Sequence, residues 1–240
     1  WFATEGGLSR FDDRRLIEFT ARDGLTDPVL ALRNVGGRLW LGTEGGAYRF
    51  DGNAFAHYTA REGLANETIR ALGDSSEGVI CATHNGVFRF DGSRFVADAE
   101  ITGNYVFACC RAADGVLWFG TTAGVLRADN EGVVHFTVED GLVHDRVRSM
   151  GQDGSGRMWF GTIEGVSCFD GETFVNYTTA DGLAHDAVWA IAQDRSGTLW
   201  LGTEGGLSRF DGTGFTSFTS SDGLGHDDVR AIHCADDGLL

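Results

Sequence analysis

Three adjacent pairs, His144-Asp145, His185-Asp186 and His226-Asp227, are the residues of this chain that most invite acid–base or metal chemistry. An imidazole beside a carboxylate can ligate a transition metal or move a proton. The pairs recur about forty residues apart, so each belongs to a separate structural unit. Neighbouring side chains on an extended strand also point to opposite faces. Ligands must converge within about 2–2.5 Å of one ion, so no metal is expected. A metal-dependent phosphohydrolase signature would need a helical setting, which the surrounding sequence does not provide. The plain alternative is a turn in which Asp caps backbone N–H groups and His packs on the next unit.

A second set of chemistry-bearing residues lies just beyond these pairs. The stretch Val188-Trp189-Ala190-Ile191 is matched by Val229-Arg230-Ala231-Ile232 and Ile69-Arg70-Ala71-Leu72. Its second position reads Leu30, Arg70, Phe107, Arg148, Trp189 and Arg230 along the chain, varying while its neighbours repeat. Residues that repeat are explained by packing; a position that varies is free to make contacts. Arginine offers bidentate hydrogen bonds and the aromatics offer stacking. The rival reading pairs Arg70, Arg148 and Arg230 with nearby carboxylates. A recurrent Thr-Glu-Gly-Gly turn contributes Glu44 and Glu204, and His84 replaces the Glu of that turn. The turn lacks the Gly-Lys-Ser/Thr ending and the following helix of a phosphate loop, so its glycines serve the turn itself.

What positions these residues is a repeat. Trp40-Leu41-Gly42-Thr43-Glu44-Gly45-Gly46 recurs from Trp200 and from Trp1, and more loosely from Trp118 and Trp159. A sixth copy has Ile80 in place of Trp. The copies start at 1, 40, 80, 118, 159 and 200. Each reads as four short strands divided by polar and Gly-rich turns, with no helical periodicity, hence all-β. One four-stranded sheet cannot bury both faces, whereas sheets stacked radially cover one another. The expected fold is a six-bladed β-propeller of four-stranded antiparallel blades, a single domain over 1–240. The second-strand Trp is its wedge between blades. The frame begins at a second strand and ends after a first strand. Residues 229–233 are therefore expected to pair beside residues 1–4, the N-terminal strands closing the ring with the C-terminal one.

Composition narrows the partners. With 19 Lys+Arg against 35 Asp+Glu, a net charge of −16 disfavours nucleic acid and anionic membrane surfaces. No apolar run approaches the ~18 residues of a membrane span. The chain opens at Trp1 within a motif and is read as an excerpt of a longer protein. Five cysteines (Cys81, Cys109, Cys110, Cys168, Cys234) form an odd set without regular spacing, and three stand where sister copies carry ordinary strand residues. They are read mostly as free thiols acting as small apolar residues.

The unit His-Asp-x-Val-x-Ala-Ile-x-x-Asp-x-x-Gly-x-Leu-Trp-Leu-Gly-Thr-x-x-Gly-Leu-x-x-Phe-Asp-Gly resembles the two-component regulator propeller repeat. The resemblance implies an extracytoplasmic ligand-binding input domain of a bacterial hybrid histidine kinase or related receptor, many of which recognise carbohydrates. The stretches Asp153–Trp159 and Asp194–Trp200 also resemble the structural Asp-box hairpin of sialidases. The third copy departs from the unit, reading Glu100-Ile101-Thr102-Gly103-Asn104 where others have Asp-Gly-Leu. In a propeller the loops before each first strand and those between second and third strands share one face. That face would carry the site: Arg70, Phe107, Arg148, Trp189, Arg230, His144, His185, His226, Glu44, His84 and Glu204. The expected function is recognition of a small polar, anionic or carbohydrate-like ligand, with no cofactor and no catalysis. The alternatives are a protein-interaction scaffold and a propeller lyase or hydrolase using His84 as base beside a carboxylate.

Overall fold

The computed structural model describes residues 1–4, 6–12, 14–65, 68–76 and 78–234. The fold is an all-β propeller of six blades, five four-stranded and one three-stranded among the described residues. Two compact units divide it, Trp1–Arg111 and Ala112–Leu240.

In the first unit the strands Val29–Val35, Arg38–Thr43, Gly46–Phe50 and Phe55–Tyr58 make one antiparallel sheet, and Ile69–Asp74, Val79–Thr83, Gly86–Phe90 and Phe95–Thr102 make another. The opening sheet has Phe2–Thr4, Gly7–Phe11 and Leu16–Phe19, and Val106–Arg111 is the unit's last strand. The second unit continues with Leu117–Thr121, Gly124–Asp129 and Gly132–Phe136. Two full blades follow, Val147–Gln152 to Phe174–Tyr177 and Val188–Gln193 to Phe215–Phe218. Among the described residues no strand is assigned at 229–233, expected as a further strand, and Phe2–Thr4 pairs with Gly7–Phe11.

The Trp wedge is as expected within each unit. Trp40 is 4% exposed and meets Tyr58 of its own blade and Phe90 and Phe95 of the next. Trp159, fully buried, packs on Tyr177 and Phe210 in the same way. The third strand lays an arginine beside this ring: Arg49 lies 5.7 Å from the Trp40 centroid. Where Cys168 takes that position opposite Trp159, Arg157 covers the ring instead, also at 5.7 Å. Where Ile80 replaces the Trp, its cross-strand partner Arg89 turns to Asp98 at 2.7 Å.

Blades are joined by a single 3₁₀ turn that the sequence encodes locally. Thr20, Thr59, Thr137, Thr178 and Thr219 each open a capping box closed by Asp or Glu three residues on. A left-handed Gly follows, and then a Leu that plugs the core: Leu25, Leu64, Leu142 and Leu183 are buried. The third blade has lost the box. Its outer strand runs eight residues, Phe95–Thr102, and Ile101 takes the buried place of the Leu.

Candidate functional site

The variable first-strand position turns out to be a β-bulge. The ladder skips from Val29 to Ala31, from Ile69 to Ala71, from Val147 to Ser149 and from Val188 to Ala190. Leu30, Arg70, Arg148 and Trp189 are thus the extra residues, each excused from the pairing that fixes its neighbours. A bulge re-aims its side chain and sharpens the local twist. The sequence shows the variability but not the bulge, because no glycine or turn residue marks it.

In the second unit this places Trp189 between two arginines. The Arg230 guanidinium carbon lies 4.6 Å and that of Arg148 5.8 Å from the Trp189 ring centroid. Such cation–π contacts leave guanidinium N–H edges able to donate in plane. Arg230 also pairs with Asp228 at 2.7 Å, while the other Asp228 oxygen is buried without a hydrogen-bond partner among the described residues. The Trp189 indole N–H has no partner among them either. Carboxylate pairing is thus seen for Arg230, while no described carboxylate is ion-paired with Arg70.

In the first unit Arg70 donates from Nε to His84 Nε2 at 3.1 Å. The His84 ring stacks on Tyr105 with centroids 3.8 Å apart, and Tyr105 meets Phe107 at 4.5 Å. Burial, followed by the charge of Arg70, holds the His84 pKa below its ordinary value. His84 therefore faces a guanidinium, and no described carboxylate is ion-paired with it. Tyr105 was not among the residues expected from sequence; its signal was the departure of the third copy from the repeat just before it.

The His–Asp pairs are turn devices. Nδ1 of His144, His185 and His226 accepts from the backbone N–H two residues on, at 2.8, 3.0 and 2.9 Å. Asp145, Asp186 and Asp227 accept from the N–H of Val138, Thr179 and Ser220. Three carboxylate-bonded turns result, and in each the imidazole Nδ1 is already engaged with backbone. His144 Nε2 lies 3.9 Å from Glu164, and His185 packs on Gly205 of the neighbouring turn. Glu44 and Glu204 are exposed; the Glu204 N–H donates to Ala187 O, tying the turn to the preceding loop. No group of three metal-ligating side chains occurs among the described residues. No described helix is long and apolar enough to cross a membrane.

The opposite strand ends carry the Asp boxes. Asp153, 8% exposed, accepts from Ser155 N–H and hydroxyl, Arg157 N–H, Arg157 Nε and Trp159 Nε1. These donors outweigh the cost of burial and hold its carboxyl below the usual range. Asp194 accepts in the same pattern from Ser196, Thr198 and Trp200. The element is structural, as its sequence implied.

Residues 100–123, 141–164 and 182–205 match the model of the two-component regulator propeller. The chain carries two-component regulator propeller repeats. The extracellular domain of a hybrid two-component system of B. thetaiotaomicron superposes with a TM-score of 0.80 and 25% identity, over 89% of this chain and 31% of that one. A second such extracellular domain from the same organism gives 0.65 and 17%, over 98% and 41%. The chain thus spans well under half the length of either. Virginiamycin B lyase from Staphylococcus aureus shares the fold, with a TM-score of 0.71 at 14% identity over 89% of this chain and 77% of that one. No curated protein matches the chain in sequence. The propeller is related to extracellular domains of two-component systems.

Proposed function

We propose that this propeller is the ligand-binding input module of a bacterial signalling receptor, non-catalytic, taking a small polar or anionic ligand at the bulged ends of its first strands. The observation that carries the reading is the coincidence of two independent features at one position. The residue that varies between otherwise repeating blades is also the residue released from the sheet ladder. Packing does not require Arg70, Arg148 or Trp189 there, and what they offer is planar hydrogen bonding and stacking. In a chain of net charge −16, arginines grouped about an indole are a local reversal of sign suited to a carboxylate or sulfate on a sugar-like ring. The bond from Arg70 to His84 favours recognition over hydrolysis or elimination, because a general base needs a partner that raises its basicity.

The test begins with a panel of neutral and uronic sugars screened by calorimetry against the wild-type chain. Arg148→Ala and Arg230→Ala should each weaken a bound sugar by roughly tenfold or more, the worth of one charge-assisted hydrogen bond. Thermal unfolding should stay within about 2 °C of wild type, since both side chains stand outside the ladder. Early unfolding of both variants, or unchanged affinity, would refute the assignment.

A further inference from the structure

We infer that Arg70 and His84 form an oxyanion site whose occupation is coupled to uptake of one proton by His84. The inference rests on the reading that this end of the strands meets the ligand, and it adds the ligand's charge and a regulator. Arg70 is a guanidinium and can only donate. Its Nε reaches His84 Nε2 at 3.1 Å, so that nitrogen must be unprotonated and the imidazole neutral. The pair is thus one cation holding one latent cation. Among the described residues the charged group bonded to His84 is Arg70, from the first strand of the same blade. Tyr105 stacks on the ring from the segment leading to Val106–Arg111, and Asn85 follows on its own turn. No described carboxylate is ion-paired with Arg70 or His84.

The repeat supplies the contrast. Sister turns place Glu44, Glu164 and Glu204 where this turn has His84. A carboxylate there would repel an anion; an imidazole removes that charge and can add the opposite one. Protonation of His84 converts Nε2 from acceptor to donor, breaks the bond from Arg70 and leaves two N–H groups aimed at the space between them. An oxyanion accepting from both restores the lost bond. The step consumes one proton from solvent and one anion, so each favours the other. Stacking on Tyr105, itself against Phe107, keeps the imidazole oriented while it changes charge.

The experiment follows the His84 Cε1–H resonance by NMR from pH 5 to 8, assigned with His84→Gln, at low salt and with sulfate or glucuronate. Both anions are fully ionised across that range. The His84 midpoint should rise by about 0.5–1 unit at saturating anion, and sulfate affinity should strengthen as pH falls, by at most about tenfold per unit for one linked proton. Arg70→Gln should abolish the anion-induced rise, and H84Q should make sulfate affinity independent of pH. A midpoint that neither anion moves, or an H84Q variant that keeps the wild-type pH dependence, overturns the inference. Loss of sugar affinity in R148A and R230A with an unmoved His84 midpoint would overturn this inference alone. An anion-sensitive His84 with no sugar bound anywhere would leave it standing and remove the sensor reading.

Discussion

Replacing Asp153 by Asn tests the accounting of the Asp box, because it keeps shape and alters charge and acceptors only. One oxygen of Asp153 receives three donors from Ser155 and Arg157; the other receives Arg157 Nε at 2.8 Å and Trp159 Nε1 at 2.9 Å. An amide has a single acceptor oxygen, so in the D153N variant one set of donors must face an NH₂ group. If the oxygen keeps the three turn donors, Arg157 can swing to water, its side chain being 41% exposed. Trp159 cannot, since it is fully buried. An orphaned buried donor costs about 1–3 kcal/mol, and weakening three charge-assisted bonds to neutral ones adds roughly 1 more. The expected total is about 3 kcal/mol. For a chain of this size that lowers Tm by roughly 6–12 °C. Asp194→Asn is the internal control, because Asp194 and Trp200 are both only half-buried, so about 1 kcal/mol is expected. Both are read by urea and thermal unfolding at pH 7. Native Asp153 has a depressed pKa, so its stabilisation is present above the unfolded carboxyl pKa and fades as pH falls through the lower folded value. The wild-type advantage over D153N should therefore shrink in acid. A D153N cost below about 0.5 kcal/mol, or one smaller than that of D194N, would refute the argument.

Other outcomes follow from local geometry. A Cβ at Gly202 would lie 2.6 Å from the Val229 carbonyl oxygen, so Gly202→Ala should cost about 1–3 kcal/mol in urea unfolding, while Gly52→Ala, which meets nothing within 4 Å but has φ of 102°, should cost about 1. Cys81 is a buried free thiol, and Cys109, also free, is pushed up to about 12 by burial; both should resist a thiol reagent at pH 8 until the chain is unfolded. Arg89→Ala should cost less than about 1 kcal/mol by thermal unfolding, since its ion pair with Asp98 is partly exposed and no indole depends on it.

The repeat, the strand count of most blades and the Trp wedge were legible because they recur, and recurrence reports packing. The capping-box turn was also written plainly, as Thr-x-x-Asp-Gly-Leu, though it read only as a loop. The bulges were not legible, since a bulge at Arg70 or Trp189 is set by the register of the strand beside it and by no residue within it. The His–Asp pairs looked like chemistry and proved to be caps, with Nδ1 and a carboxylate oxygen accepting from backbone N–H; only the geometry of the turn separates those roles. Tyr105 was hidden for the opposite reason. It matters through a stack with His84, twenty-one residues earlier in sequence, and no local pattern joins the two.

A glycine one residue before the end of four second strands has an evolutionary corollary. Gly42, Gly120 and Gly161 each leave room for the opening residue of the following blade, Ile69, Val147 or Val188, and Gly202 does the same for Val229. Such a module is therefore built with the socket for its successor and the peg for its predecessor. A gene segment copied in whole periods arrives with both halves of the joint and needs no adaptation at the seam. A duplication of any other length strands a peg without its socket. Lineages of such arrays are thus free to change in number by single modules and tightly held in the length of each one.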